Sequence, residues 1–189
     1  MKSVLAACVL AAMVVHAQAT RPVVEVRPEP AREAWWWRTT LHPQSTRVMG
    51  VAVRRLHPEW CAAEAFSAEL FGEALLGPAG GDPLAGLAFS IEDSFDGSGK
   101  AQVAFVGAYR RCAGEQGLFV AIVEPHKDRP RTRFLVEVPD APSAFGALGR
   151  EPDGTLAVWW CAGCSEGYRI AYNRQTREFY IAGPATRRQ

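Results

Sequence analysis

Residues 87–109 read LAFSIEDSFDGSGKAQVAFVGAY. Leu87, Phe89 and Ile91 alternate with Ala88, Ser90 and Glu92; after a Gly-rich stretch, Val103, Phe105, Gly107 and Tyr109 alternate again. A period of two sends successive side chains to opposite faces of a pleated strand. The stretch therefore predicts a β-hairpin turning over residues 93–100.

The same pattern continues downstream. Residues 118–123 form an apolar run, and Phe134, Val136 and Val138 alternate before Pro139, whose ring removes a ladder donor. Asp153-Gly154 is a turn dipeptide leading into residues 155–161, apolar on both faces. Residues 168–172 and 179–181 follow, separated by the polar turn 173–177. Upstream, Met49, Val51 and Val53 alternate within residues 46–55, which predicts another strand. Residues 61–76 carry Phe66, Leu70 and Ala74, then Phe71 and Leu75, at helical spacing, and Gly77-Pro78 closes the segment. The fold class expected is mainly β: an antiparallel meander, either a sandwich or a partial propeller, with one helix over 61–76.

The hairpin turn carries a family resemblance. Ser94-Phe95-Asp96-Gly97-Ser98-Gly99-Lys100-Ala101-Gln102 resembles the repeat of FG-GAP and VCBS-type β-propeller proteins, in which a loop of the form D-F-N-G-D-G-x-x-D binds calcium and passes into an apolar strand. The resemblance covers about a dozen residues and the strands beside them. It implies side-chain ligands at Ser94, Asp96, Ser98 and Gln102, of which only Asp96 is a carboxylate. Calcium requires several carboxylates to offset its dehydration, so the turn is expected to keep its shape without a metal.

The N-terminal residues 1–19 have the form of a signal peptide. Lys2 gives a positive start, an apolar run follows, and Ala17-Gln18-Ala19 has the small-x-small pattern of a cleavage site. The run is shorter than the roughly 20 residues of a membrane span, so no membrane anchor is expected after cleavage. A lipoprotein-like Leu5-Ala6-Ala7-Cys8 is the weaker reading, because the apolar run continues past Cys8. Residues 20–34 hold Pro22, Pro28 and Pro30 among charges and are expected to form an extended tether to a single β-rich domain over 35–189. The localisation expected is periplasmic or secreted.

Charge and cysteines narrow the function classes. The chain carries 21 Lys and Arg against 20 Asp and Glu, and Lys2 leaves with the signal. Without a basic excess, nucleic acid is not an expected partner. Cys61, Cys112, Cys161 and Cys164 remain, and an even count in an oxidising compartment reads as two disulfides. The preferred pairing is Cys61–Cys112 and Cys161–Cys164, although three connectivities are possible. Trp160-Cys161-Ala162-Gly163-Cys164 looks like a thioredoxin redox motif, but turn and strand follow it rather than the helix that lowers a thiolate's pKa. Zinc on the four cysteines would need a second closely spaced pair.

No cofactor motif, nucleophile elbow or zinc-protease pair is present, and His42, His57 and His126 fall in expected loops. Trp35, Trp36 and Trp37 run consecutively, so on an extended backbone they cannot all face one side; they begin a doubly buried strand or offer a binding surface. The function expected is a non-enzymatic exported binding protein, an inhibitor or immunity protein acting on another periplasmic or secreted protein. A cell-envelope carbohydrate-binding module and a thiol-disulfide redox protein using the C-x-x-C pair are the alternatives.

Overall fold

Two apolar strands with both faces covered organise the molecule. The computed structural model describes residues 23–26, 39–71, 84, 86–126, 130–141, 144–161 and 166–186. In chain order the elements are β1 (Val23–Val26), β2 (Thr39–His42), β3 (Arg47–Val48), β4 (Val51–Ala52), α1 (Val53–Leu56), β5 (Trp60–Ala65), α2 (Ala68–Phe71), β6 (Ser90–Asp93) and β7 (Gln102–Arg111). Then come β8 (Gln116–Glu124), β9 (Arg131–Pro139), β10 (Ala147–Arg150), β11 (Leu156–Trp159), β12 (Glu166–Asn173) and β13 (Glu178–Thr186). The architecture is mainly β with antiparallel sheets, as expected.

The larger sheet runs β5-β7-β8-β9, with β6 also on β7. Strand β5 pairs with the Gly107–Arg111 half of β7, and β6 pairs with its Gln102–Phe105 half. The expected hairpin is present: Ser90 faces Phe105 and Asp93 faces Gln102 across it. The second sheet is the meander β10-β11-β12-β13. A bridge between Ala88 and Leu148 ties the segment before β6 to β10.

Side-chain alternation on β7 and β8 divides the core. Ala104, Val106 and Ala108 with Leu118, Val120 and Ile122 face the second sheet and pack with Phe145, Leu148, Leu156, Val158 and Ile170. Phe105 and Tyr109 with Phe119, Ala121 and Val123 face the other way, under Val48, Val51, Val53, Leu56 and Trp60. The result is three layers: the β3-β4-α1 cap, the larger sheet and the second sheet. Each fully buried aromatic or aliphatic side chain contributes about 1.5–3 kcal/mol by transfer from water.

Two readings of the N-terminal half need correction. Residues 61–76 are not one helix. Trp60–Ala65 is a strand on β7, the helix is confined to Ala68–Phe71, and residues 72–76 lie outside the described residues. Alanines tolerate either state, and the vacant edge of β7 supplies hydrogen bonds that override helical preference. Residues 46–55 are not one strand either. Arg47–Val48 and Val51–Ala52 form a hairpin around Met49-Gly50, both at positive φ, and Val53–Leu56 continues as a helical turn. Within residues 20–34, Val23–Val26 pairs antiparallel with Thr39–His42.

Candidate functional site

Residues 94–102 form a closed hydrogen-bonded turn. Gly99 N donates to Ser94 Oγ at 2.8 Å, Ser98 N to Asp96 Oδ1 at 3.0 Å, Lys100 N to Ser98 Oγ at 3.3 Å, and Asp96 N to Gln102 Oε1 at 3.3 Å. At each of the four positions named from the resemblance, a side-chain oxygen is therefore engaged by a loop amide. A guanidinium answers the remaining charge. Arg133 Nη1 lies 3.4 Å from Asp96 Oδ2 and 2.7 Å from Glu124 Oε2, and the Asp96 side chain is only 6% exposed. Burial pushes the Asp96 carboxyl up, but hydrogen bonds from Ser98, then Gln102, and the Arg133 charge together hold it below its usual value. Among the described residues, no group of three or more His, Cys, Asp or Glu is placed to hold a metal.

Asp93, at the end of the hairpin's first strand, is paired in the same way. Asp93 is ion-paired with Arg150, whose guanidinium also donates to Gly154 O at 3.0 Å and lies over the Phe95 ring. At the far end of the sheet, Arg111 bridges Glu59 and Glu137 at 2.8 Å each. Glu137 also accepts from Trp60 Nε1 at 2.6 Å, and Trp60 stacks on Tyr109 with ring centroids 4.5 Å apart. His57 Nε2 is 3.9 Å from Glu137, beyond hydrogen-bond reach, and His42 Nδ1 is 3.4 Å from Gln116 Nε2.

Cys61 and Cys112 form a disulfide, the preferred pairing, which pins β5 to the end of β7. Arg54 Nη2 approaches both sulfurs, at 3.6 Å and 3.4 Å. Cys161 is also disulfide-bonded, while Cys164 lies outside the described residues. The triplet Trp35, Trp36 and Trp37 lies outside them as well.

A feature that the sequence reading missed occupies the outer face of the second sheet. A cleft of about 550 Å³ is lined by Leu87, Gly149, Arg150, Glu151, Pro152, Trp159, Arg169 and Pro184, among others. The indole of Trp159 lies flat across two glycines. A Cβ on Gly149 would come within 2.9 Å of its ring, and one on Gly167 within 2.8 Å of its Nε1. Trp159 is 3% exposed, yet its Nε1–H has no hydrogen-bond partner, and neither has the buried Nε–H of Arg169. An unpaired buried donor costs about 1–3 kcal/mol. Asp153 lies close enough for the Arg169 charge to contribute to lowering its carboxyl pKa, after the larger effects of the Thr155 amide and hydroxyl. The available signal was a doubly apolar strand, residues 155–161, flanked by glycines on its neighbours; a single sequence does not show that those glycines make room for an indole.

Comparison with protein families, curated proteins and solved structures finds no match. Among the described residues, no helix is long and apolar enough to cross a membrane.

Proposed function

We propose that this chain is an exported, non-enzymatic binding protein that engages another periplasmic or secreted protein, as an inhibitor or immunity protein does. The observation that carries the reading is a contrast between two kinds of polar group. The carboxylates Asp93, Asp96, Glu124 and Glu137 are all engaged by guanidinium groups. Carboxylates already occupied in this way suit structure better than general acid–base work. Trp159 and Arg169, by contrast, line a cleft, and each has a buried N–H without a hydrogen-bond partner. The Cys61–Cys112 bridge supports the exported part of the reading, since such bonds persist in oxidising compartments.

The FG-GAP-like hairpin enters this reading as a scaffold. Its closed loop and the Arg133 pairing favour a turn that keeps its geometry by hydrogen bonds instead of an ion.

Crosslinking in the native host, followed by mass spectrometry with and without reduction, tests the proposal. The expected result is a chain cut after Ala19, bridged, and joined to one abundant envelope protein. Recovery of the chain without any stoichiometric protein partner overturns it.

A further inference from the structure

The Trp159 cleft offers donors to a ligand that supplies acceptors. The indole N–H is held over Gly167, and Arg169 lies two residues further along the same strand, on the same face of β12. Both residues line the cleft, with these two donor atoms buried in its wall. The other cation lining it, Arg150, is already engaged by Asp93 and the Gly154 carbonyl. Rings and prolines at Trp159, Pro152 and Pro184 supply apolar walls. A guanidinium and an indole in one cleft wall, each with a buried N–H that has no hydrogen-bond partner, suit a ligand with two oxygens that share one negative charge.

We infer that this cleft binds a carboxylate, presented as an acidic side chain by the protein partner. The inference rests on the reading of the chain as a protein-binding protein. It assigns the carboxylate to the Trp159–Arg169 side of the cleft, because Glu151 lines the cleft too and repels an anion placed against it. Removing that charge should therefore tighten binding, a sign that a purely structural role for these residues does not produce.

The test uses the full mature chain labelled with ¹⁵N and follows its indole N–H resonances. The probe is N-acetyl-glutamate N-methylamide, with the neutral glutamine analogue as control and succinate as a free small carboxylate. The Trp159 resonance, assigned by its loss in Trp159→Phe, should move saturably with the glutamate probe, at an affinity of roughly 1 mM for a ligand of this size. It should stay still with the neutral analogue. The Trp60 indole, engaged by Glu137, serves as an internal control that does not move. Arg169→Gln should weaken binding at least about tenfold, the scale of one charge-assisted hydrogen bond, and Glu151→Gln should tighten it.

A Trp159 resonance unmoved by either carboxylate at tens of millimolar overturns the inference. So does an equal response to the neutral analogue, even where Arg169→Gln fails to fold. If crosslinking captures a partner while Trp159 stays silent, the site fails and the binding function stands. If succinate binds more tightly than the glutamate probe and no partner is captured, the protein source of the carboxylate and the proposed function fail together.

Discussion

Two carboxylates show how position decides the sign of a side chain's contribution. Glu64 sits on β5 against β7, where burial pushes its carboxyl above the ordinary value of 4.5, partly opposed by the Ser45 backbone hydrogen bond. A carboxyl raised in the folded state binds a proton more tightly there than in the unfolded chain. Stability is therefore lost as pH rises from 4.5 through the folded value, and the penalty is fully present above that value. Asp96 runs the other way. Held below 3.8 in the fold, it contributes stability at neutral pH that disappears as pH falls from 3.8 through the folded value. Glu64→Gln should raise the melting temperature at pH 7, with the advantage closing near pH 4. Asp96→Asn should lower it at pH 7, with the deficit closing as pH falls below 3.8 through the folded value. Thermal melts of both variants over pH 2.5–8, on the order of one-unit steps, check the two slopes. The same sign for both would mean that burial and ion pairing are misassigned.

At the scale of elements, short turns carry information that hydrophobic alternation hides. Met49 adopts φ 47° and Gly50 φ 76°, the left-handed pair that a two-residue hairpin requires. Glycine does this freely; methionine does not, and Met49 is 48% exposed, so burial does not reward it for the strain. Met49→Asn should stabilise the protein by about 0.5–1 kcal/mol, read as a higher denaturant midpoint at unchanged slope. A lower midpoint would show that the thioether packs usefully after all. The example also explains what was legible in advance. Strands β6 to β9 announced themselves, because alternating residues such as Phe134, Val136 and Val138 answer directly to a two-sided environment. Strand β5 did not. Its Trp60–Ala65 sequence has no β-branched residue, and its state is set by β7, more than forty residues away in the chain. The calcium-like turn was legible as a turn, but Arg133, which answers its charge, comes from β9 and leaves no local trace. The Trp159 cleft was illegible for a similar reason: it exists only once β10, β11 and β12 are side by side.

The whole molecule behaves as one cooperative unit if its layers depend on one another. Phe145, Leu148 and Ile170 of the second sheet share a core with Val106 and Val120 of the first, and β7 and β8 are also covered from the opposite side by Val51 and Leu56. Neither meander can keep its apolar face dry without the other, so unfolding should be a single transition. The Cys61–Cys112 bridge acts on this unit from one edge. With its ends separated by 51 positions in the sequence, it restricts the unfolded chain by about 4 kcal/mol in the loop-entropy account. For a chain of this length, that corresponds to a fall of roughly 8–16 °C in melting temperature when Cys61 and Cys112 are both replaced by serine. The indoles give each sheet its own reporter, since Trp60 lies at the edge of the first and Trp159 on the second. Because the chain holds six tryptophans, the Trp60 and Trp159 signals are taken as the differences between fluorescence melts of the double-serine protein with and without Trp60→Phe or Trp159→Phe. If the layers are coupled, loss of a bridge confined to the first sheet lowers the Trp159 transition as much as the Trp60 transition. A Trp159 signal that keeps its original midpoint would mean that the second sheet folds on its own.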